Sequence, residues 1–281
     1  MTSLPTISSP DAPYPSPASA TLTHPAPPFL ITTRKLPILK SGPIDALSAR
    51  LSGLPIPEMI FGDNLVSITH TPTQWSLSFS AEPALARVDA TGANMLRVAY
   101  ASSWSSSREA SGTVAEVVKA YDWSYSTDYK GSEALGTGGE GLSPSSDEIP
   151  VELLKRRDPI LFHDEVVLYE SELDDNGISL LSVKVRVMEK RMLLLCRQYM
   201  RLDEVLARVR DTRVYVDFGE ERVVREYTAR EGGWEGLKHA LMMTGVPPDG
   251  VPVALRDSNQ VAALIPVVET YRDSVCFKKA A

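Results

Sequence analysis

Cysteine is scarce. Only Cys196 and Cys276 occur in 281 residues, which excludes a disulfide framework and a cysteine-rich zinc site. Positive charge is in deficit: 29 Lys and Arg face 36 Asp and Glu, for a net charge of −7 and a pI of about 5.2. Such a surface repels nucleic acid and anionic lipid, which excludes a general DNA or RNA binder. Long apolar runs are lacking, since Met192–Cys196 and Gln260–Val268 fall far short of the roughly 20 residues of a bilayer-spanning helix. The chain starts with no basic stretch followed by an apolar one, so no secretory signal is expected, and no Asn-x-Ser/Thr acceptor occurs. The histidines, His24, His70, His163 and His239, are scattered, and no two stand at a metal-binding spacing. No serine sits in a Gly-x-Ser-x-Gly elbow, and Cys196 lies in an apolar run that suits a buried, inert thiol. These absences favour a binding protein over an enzyme, and a soluble, intracellular one.

What is present suffices for a core, with 43% apolar residues. Residues 1–28 carry eight prolines among Ser, Thr and Ala, a composition that predicts a disordered tail ahead of one domain over 29–281. Gly131–Glu148 holds five glycines and four serines and reads as a mobile surface loop inside that domain. Ser41–Gly53 reads as a helix, with Ile44, Leu47 and Leu51 on one stripe, Ser41 as its cap and Gly53 as its stop. Asn64–His70 and Gln74–Ser80 alternate as strands around a Thr71-Pro72-Thr73 turn; Ala81–Val88 reads as a short helix and Met95–Ala99 as a strand. Val183, Val185 and Val187 mark a half-buried strand. Apolar parity is odd at Val205, Ala207 and Val209 but even at Val214, Val216 and Phe218, which predicts a bulge or turn near Arg210–Asp211. A hairpin turns at Gly219–Arg222, and Trp234–Met243 and Ser258–Leu264 read as helices around a Pro/Gly-rich Gly245–Pro252. Meandering strands with helices between and after them predict an α+β fold: a single domain on antiparallel sheet with peripheral helices.

Each cluster with chemical potential has a plainer reading beside it. GTGGEG at Gly136–Gly141 lacks the preceding strand and following helix of a phosphate cradle. The acidic Asp164–Asp175 could supply a metal-assisted hydrolase with Asp164, Glu165 and Glu170, the last placed by alternation on Asp164's side together with Glu172. It has no calcium-loop spacing, so a solvated strand edge or partner-facing surface is the default. In Tyr121–Lys130, Tyr121, Trp123, Tyr125 and Tyr129 share parity, giving an aromatic face that serves as core, as a protein-binding anchor or as the wall of a small-ligand carrier. Ile56–Asn64 combines a rigid Pro entry, large apolar residues and a Gly-Asp-Asn turn.

IPEMIFGDN (Ile56–Asn64), YDWSYSTDYKG (Tyr121–Gly131), EVVLYESELDDNGISLLSVKVRVM (Glu165–Met188), RLDEVLARVRDTRVY (Arg201–Tyr215) and REYTARE (Arg225–Glu231) stand in the order and spacing of one family. Together they resemble the TOR signalling pathway regulator-like family (TIPRL and its fungal relatives), regulators of type 2A protein phosphatases. The resemblance implies a non-catalytic, cofactor-free protein of the cytoplasm, and also of the nucleus. Such a protein binds the catalytic subunit of a type 2A phosphatase, restrains it in TOR signalling, and in fungi acts with an α4-like phosphatase-associated subunit. It further implies a partner-binding groove edged by residues matching Ile149, Val209, Asp211 and Tyr227. Val209 stands where the family has methionine, and Pro83 where it has an aspartate.

Overall fold

Alternating apolar residues bring two antiparallel sheets together in the computed structural model, which describes residues 14–89, 122–173 and 175–278. The first sheet holds β1 (Thr21–Ala26), β2 (Phe29–Arg34), β4 (Leu65–His70), β5 (Trp75–Ser80) and β6 (Ser132–Ala134), in that order. The second has eight strands. It runs β3 (Met59–Ile60), β8 (Phe162–Ser171), β9 (Gly177–Val187), β10 (Arg191–Leu202), β11 (Leu206–Asp217), β12 (Arg222–Gly233), β13 (Val267–Cys276) and β7 (Ser143–Pro144). The α+β class on antiparallel sheet, with helices at the periphery of one domain, is therefore what the molecule has.

One apolar cluster fills the space between the sheets. Phe29, Ile31, Val66, Ile68, Trp75, Leu77 and Phe79 meet Val183, Val185, Met192, Leu194, Val214 and Val216 there. The outer face of the eight-stranded sheet is covered twice. At one end α4 (Trp234–Met243), α5 (Val251–Ala254) and α6 (Ser258–Leu264) pack Leu237, Leu241, Leu255 and Val261 over Tyr199, Ala207 and Val209. At the other, Ile149 and α3 (Val151–Leu154) cover Tyr215 and Val224, with Leu154 and Leu193 at the margin. Among the described residues, α1 (Ser41–Arg50) and α2 (Ala81–Leu85) also add Leu47, Ala81, Ala84 and Leu85 to the inter-sheet cluster.

This double coverage corrects the expected break in β11. The strand pairs without interruption with β10 and β12 through Arg210 and Asp211. Its apolar parity changes because Ala207 and Val209 face the helices while Val214 and Val216 face the inter-sheet core. Register irregularities fall elsewhere, at Val167/Tyr169 and at Ala229/Arg230.

Four further expectations are corrected. The tail reading fails from residue 14 onward: β1 pairs along all of β2, and Tyr14 Oη donates to Pro37 O at 2.8 Å. Proline at Pro25 is tolerated because β1 is an edge strand. Gly131–Glu148 is not a free loop either, because β6 closes the edge of one sheet and β7 the edge of the other. Helix α1 has Lys40 rather than Ser41 at its N-cap, with no side-chain cap, although Gly53 at φ 81° does end the turn that follows. The aromatic segment is irregular rather than a strand over its described part, with Tyr125 at φ 53°. Tyr125 and Tyr129 are buried in the inter-sheet cluster, so this face is core. Met95–Ala99 and Tyr121 lie outside the described residues.

Candidate functional site

Strands β10 to β13 carry the candidate residues in rows that their register fixes. Val209 pairs with Tyr199 and Arg230, Asp211 with Arg197 and Thr228, and Tyr227 with Thr212 and Tyr271. Side chains alternate along a strand, so Val209, Asp211, Arg213 and Tyr215 project from the outer face, whereas Tyr227 projects toward the first sheet. The structure thus brings Ile149, Val209 and Asp211 onto one face and leaves Tyr227 on the other.

On the outer face Asp211 is buried yet fully engaged. Arg197 donates to it from Nε at 2.7 Å and from Nη2 at 2.8 Å, and Arg213 adds a third bond at 2.7 Å. The chain of charges continues outward through Arg213 and Glu226 at 3.7 Å, Arg272 and Glu226 at 2.9 Å, and Arg272 and Glu148 at 2.9 Å. It ends beside Ile149. At its other end Arg197 donates to Ser258 Oγ at 3.1 Å and Asn259 Oδ1 at 2.8 Å, at the start of α6. A polar floor therefore runs between two apolar caps, with Val209 under the helical one and Ile149 in the other. Sequence reasoning missed Arg197, Arg213, Glu226, Arg272 and Glu148. The only local signal was the Asp211/Arg213 pair at a spacing of two.

On the inner face Tyr227 is 1% exposed, with Lys130 Nζ 4.1 Å from its ring centre and Arg210 donating to its hydroxyl at 3.5 Å. Burial pushes its hydroxyl pKa up, and the nearby Arg210 charge only partly offsets this.

The acidic candidates do not converge. Asp164 accepts from Thr33 at 2.6 Å and from Lys35. Burial would raise its pKa, but those two bonds hold it below the usual carboxylate value. Glu165 reaches Lys184 at 3.0 Å on the opposite face. The bulge at Val167/Tyr169 moves Glu170 to the other side from Asp164, correcting the expected parity. Burial, and then Glu172, raise the Glu170 pKa. Among the described residues no three His, Cys, Asp or Glu side chains gather as a metal site. Burial likewise pushes up the Cys196 thiol. Pro83 sits in α2 against a cavity of about 520 Å³, beside Glu82, which is held by Arg50 through two bonds of 2.8 Å. No helix among the described residues is long and apolar enough to cross a membrane.

The fold and these surfaces define a two-sheet α+β protein in which, among the described residues, charged groups of the eight-stranded sheet pair across neighbouring strands. Residues 59–238 match the model of the TIP41-like family, and the chain belongs to that family. It is 37% identical over 266 residues to "Type 2A phosphatase activator TIP41" of Saccharomyces cerevisiae, covering 89% of this chain and 73% of that protein. It is 38% identical to the human "TIP41-like protein" (89% and 88% covered) and 31% to "Type 2A phosphatase activator tip41" of Schizosaccharomyces pombe (82% and 88%).

Proposed function

We propose that the protein is a non-catalytic regulator that binds the catalytic subunit of a type 2A serine/threonine phosphatase in TOR signalling. The observation that carries this reading is family membership over most of the chain, together with relatives named for that phosphatase. The paired, partly exposed charges between two apolar caps supply a surface suited to a protein partner. Ile149, Val209 and Asp211 are buried directly beneath the proposed contact region and shape it from below, and Tyr227 supports it from the opposite face. The α4-like subunit, and a place in cytoplasm and nucleus, belong to the same proposal. Its sign is restraint, as the resemblance implies, whereas the two yeast relatives are named activators. The test mixes purified protein with purified catalytic subunit and follows complex formation and phosphopeptide turnover. A complex with slowed turnover is expected. Faster turnover would reverse the sign, and no complex would overturn the reading.

A further inference from the structure

The candidate residues do not share a face, yet their rows end at one place. Running outward from β11, the rows are Val209–Arg230–Val267, Asp211–Thr228–Thr270 and Thr212–Tyr227–Tyr271. All three terminate where β13 has no outer neighbour among the described residues. β7 pairs only with Asp273 and Ser274, and Ser145 N–H donates to Arg272 O at 3.3 Å. Among the described residues no further backbone group bonds the outer side of Val267–Tyr271. Because Arg272 O points outward, strand alternation turns the N–H and C=O of Thr270 outward as well. Val267, Val268 and Tyr271 are 47%, 62% and 36% exposed, an unusual apolar load for an edge. Such an edge is a ready template for another extended backbone, while the bulge and the Glu269 charge discourage indiscriminate pairing.

We propose that Val267–Tyr271 receives an extended segment of the phosphatase as an added strand, in line with β7. This rests on the reading that the partner is a type 2A catalytic subunit. Recognition is by main-chain hydrogen bonds to Thr270, with apolar side chains of the segment set against Val267, Val268 and Tyr271. Tyr227, one strand in, and Asp211, two strands in, are then positioning residues that hold β13 in place from opposite faces of the sheet. Ile149 follows Glu148, whose bond to Arg272 closes the far end of the open stretch.

The test is amide-resolved hydrogen exchange on the full chain, free and with purified catalytic subunit. The Thr270 amide is expected to exchange readily in the free protein and to slow by about tenfold or more in the complex. The inward amide of Tyr271 should be protected in both states. Thr270→Pro removes the outward donor without touching the ladder to β12 and is expected to weaken binding about tenfold. If that variant misfolds, exchange on the native chain decides alone. A complex in which Thr270 keeps its free rate overturns the added strand and leaves phosphatase binding standing; absence of any complex overturns both.

Discussion

Three guanidinium N–H groups converge on Asp211, whose side chain is 1% exposed, and Arg197 opposite it is 10% exposed. A buried ion pair adds little net stability over an apolar pair, but removing one partner strands the other charge. Asp211→Asn should therefore destabilise by about 3–5 kcal/mol, whereas Arg213→Ala, with its side chain 32% exposed, should remove less than about 1 kcal/mol. Denaturant unfolding of the two variants checks the order, and equal losses would refute the claim that Arg197 is the dominant partner. At Tyr227 the ring, not the hydroxyl, carries the packing. Tyr227→Ala should lose about 3–5 kcal/mol by opening a cavity, and Tyr227→Phe less than about 1 kcal/mol because the 3.5 Å bond from Arg210 is long. Only Tyr227→Phe is thus informative about binding, since loss of binding in Tyr227→Ala would follow from instability alone.

Among the elements, β1 and the β6–β7 segment join parts of the molecule that composition alone would leave loose. Deleting residues 1–28 removes six cross-strand pairs and the stack of His24 on Phe162, so a fall in Tm of about 5 °C or more is expected. Unchanged thermal unfolding of the truncated chain would show that β1 contributes nothing. In the β6–β7 segment a Cβ on Gly136 would stand 1.8 Å from Thr73 O and 2.6 Å from Trp75 N. Gly136→Ala should then destabilise by about 1–3 kcal/mol, which calorimetry would read. None of these three strands was legible in sequence, because Pro-rich and Gly/Ser-rich composition hides short edge strands. β13 escaped for another reason: its first five residues are exposed, so no alternation marks them. By contrast β4, β5, α4 and α6 were legible, since their period and punctuation are local. The charge chain from Arg197 to Glu148 needed the register of four strands and had no linear signature.

Across the whole molecule the two sheets are joined by an aromatic seam centred on His70, which comes from the first sheet but reaches the hairpin tip of the second. Its Nδ1 lies 2.8 Å from Thr73 Oγ1 and its Nε2 3.2 Å from Glu221 Oε2. Its ring stacks on Phe277 at 4.2 Å and tilts against Phe29 at 5.0 Å. Phe277 is itself fixed by its N–H to Glu221 O at 3.0 Å. Burial lowers the His70 pKa below the ordinary imidazole value, and the attractions of Glu221 and Glu140 offset this only in part. A base with a depressed folded pKa binds fewer protons folded than unfolded, so stability falls as pH drops through the unfolded value near 6.5. The loss levels off below the folded pKa, once both states carry the proton. The native chain should therefore melt at a lower temperature at pH 5.5 than at pH 7.5. His70→Gln should be less stable at pH 7.5 but show a flatter slope across that interval. If the slope of His70→Gln matches that of the native chain, the acid sensitivity of the seam belongs to other groups and His70 is only packing.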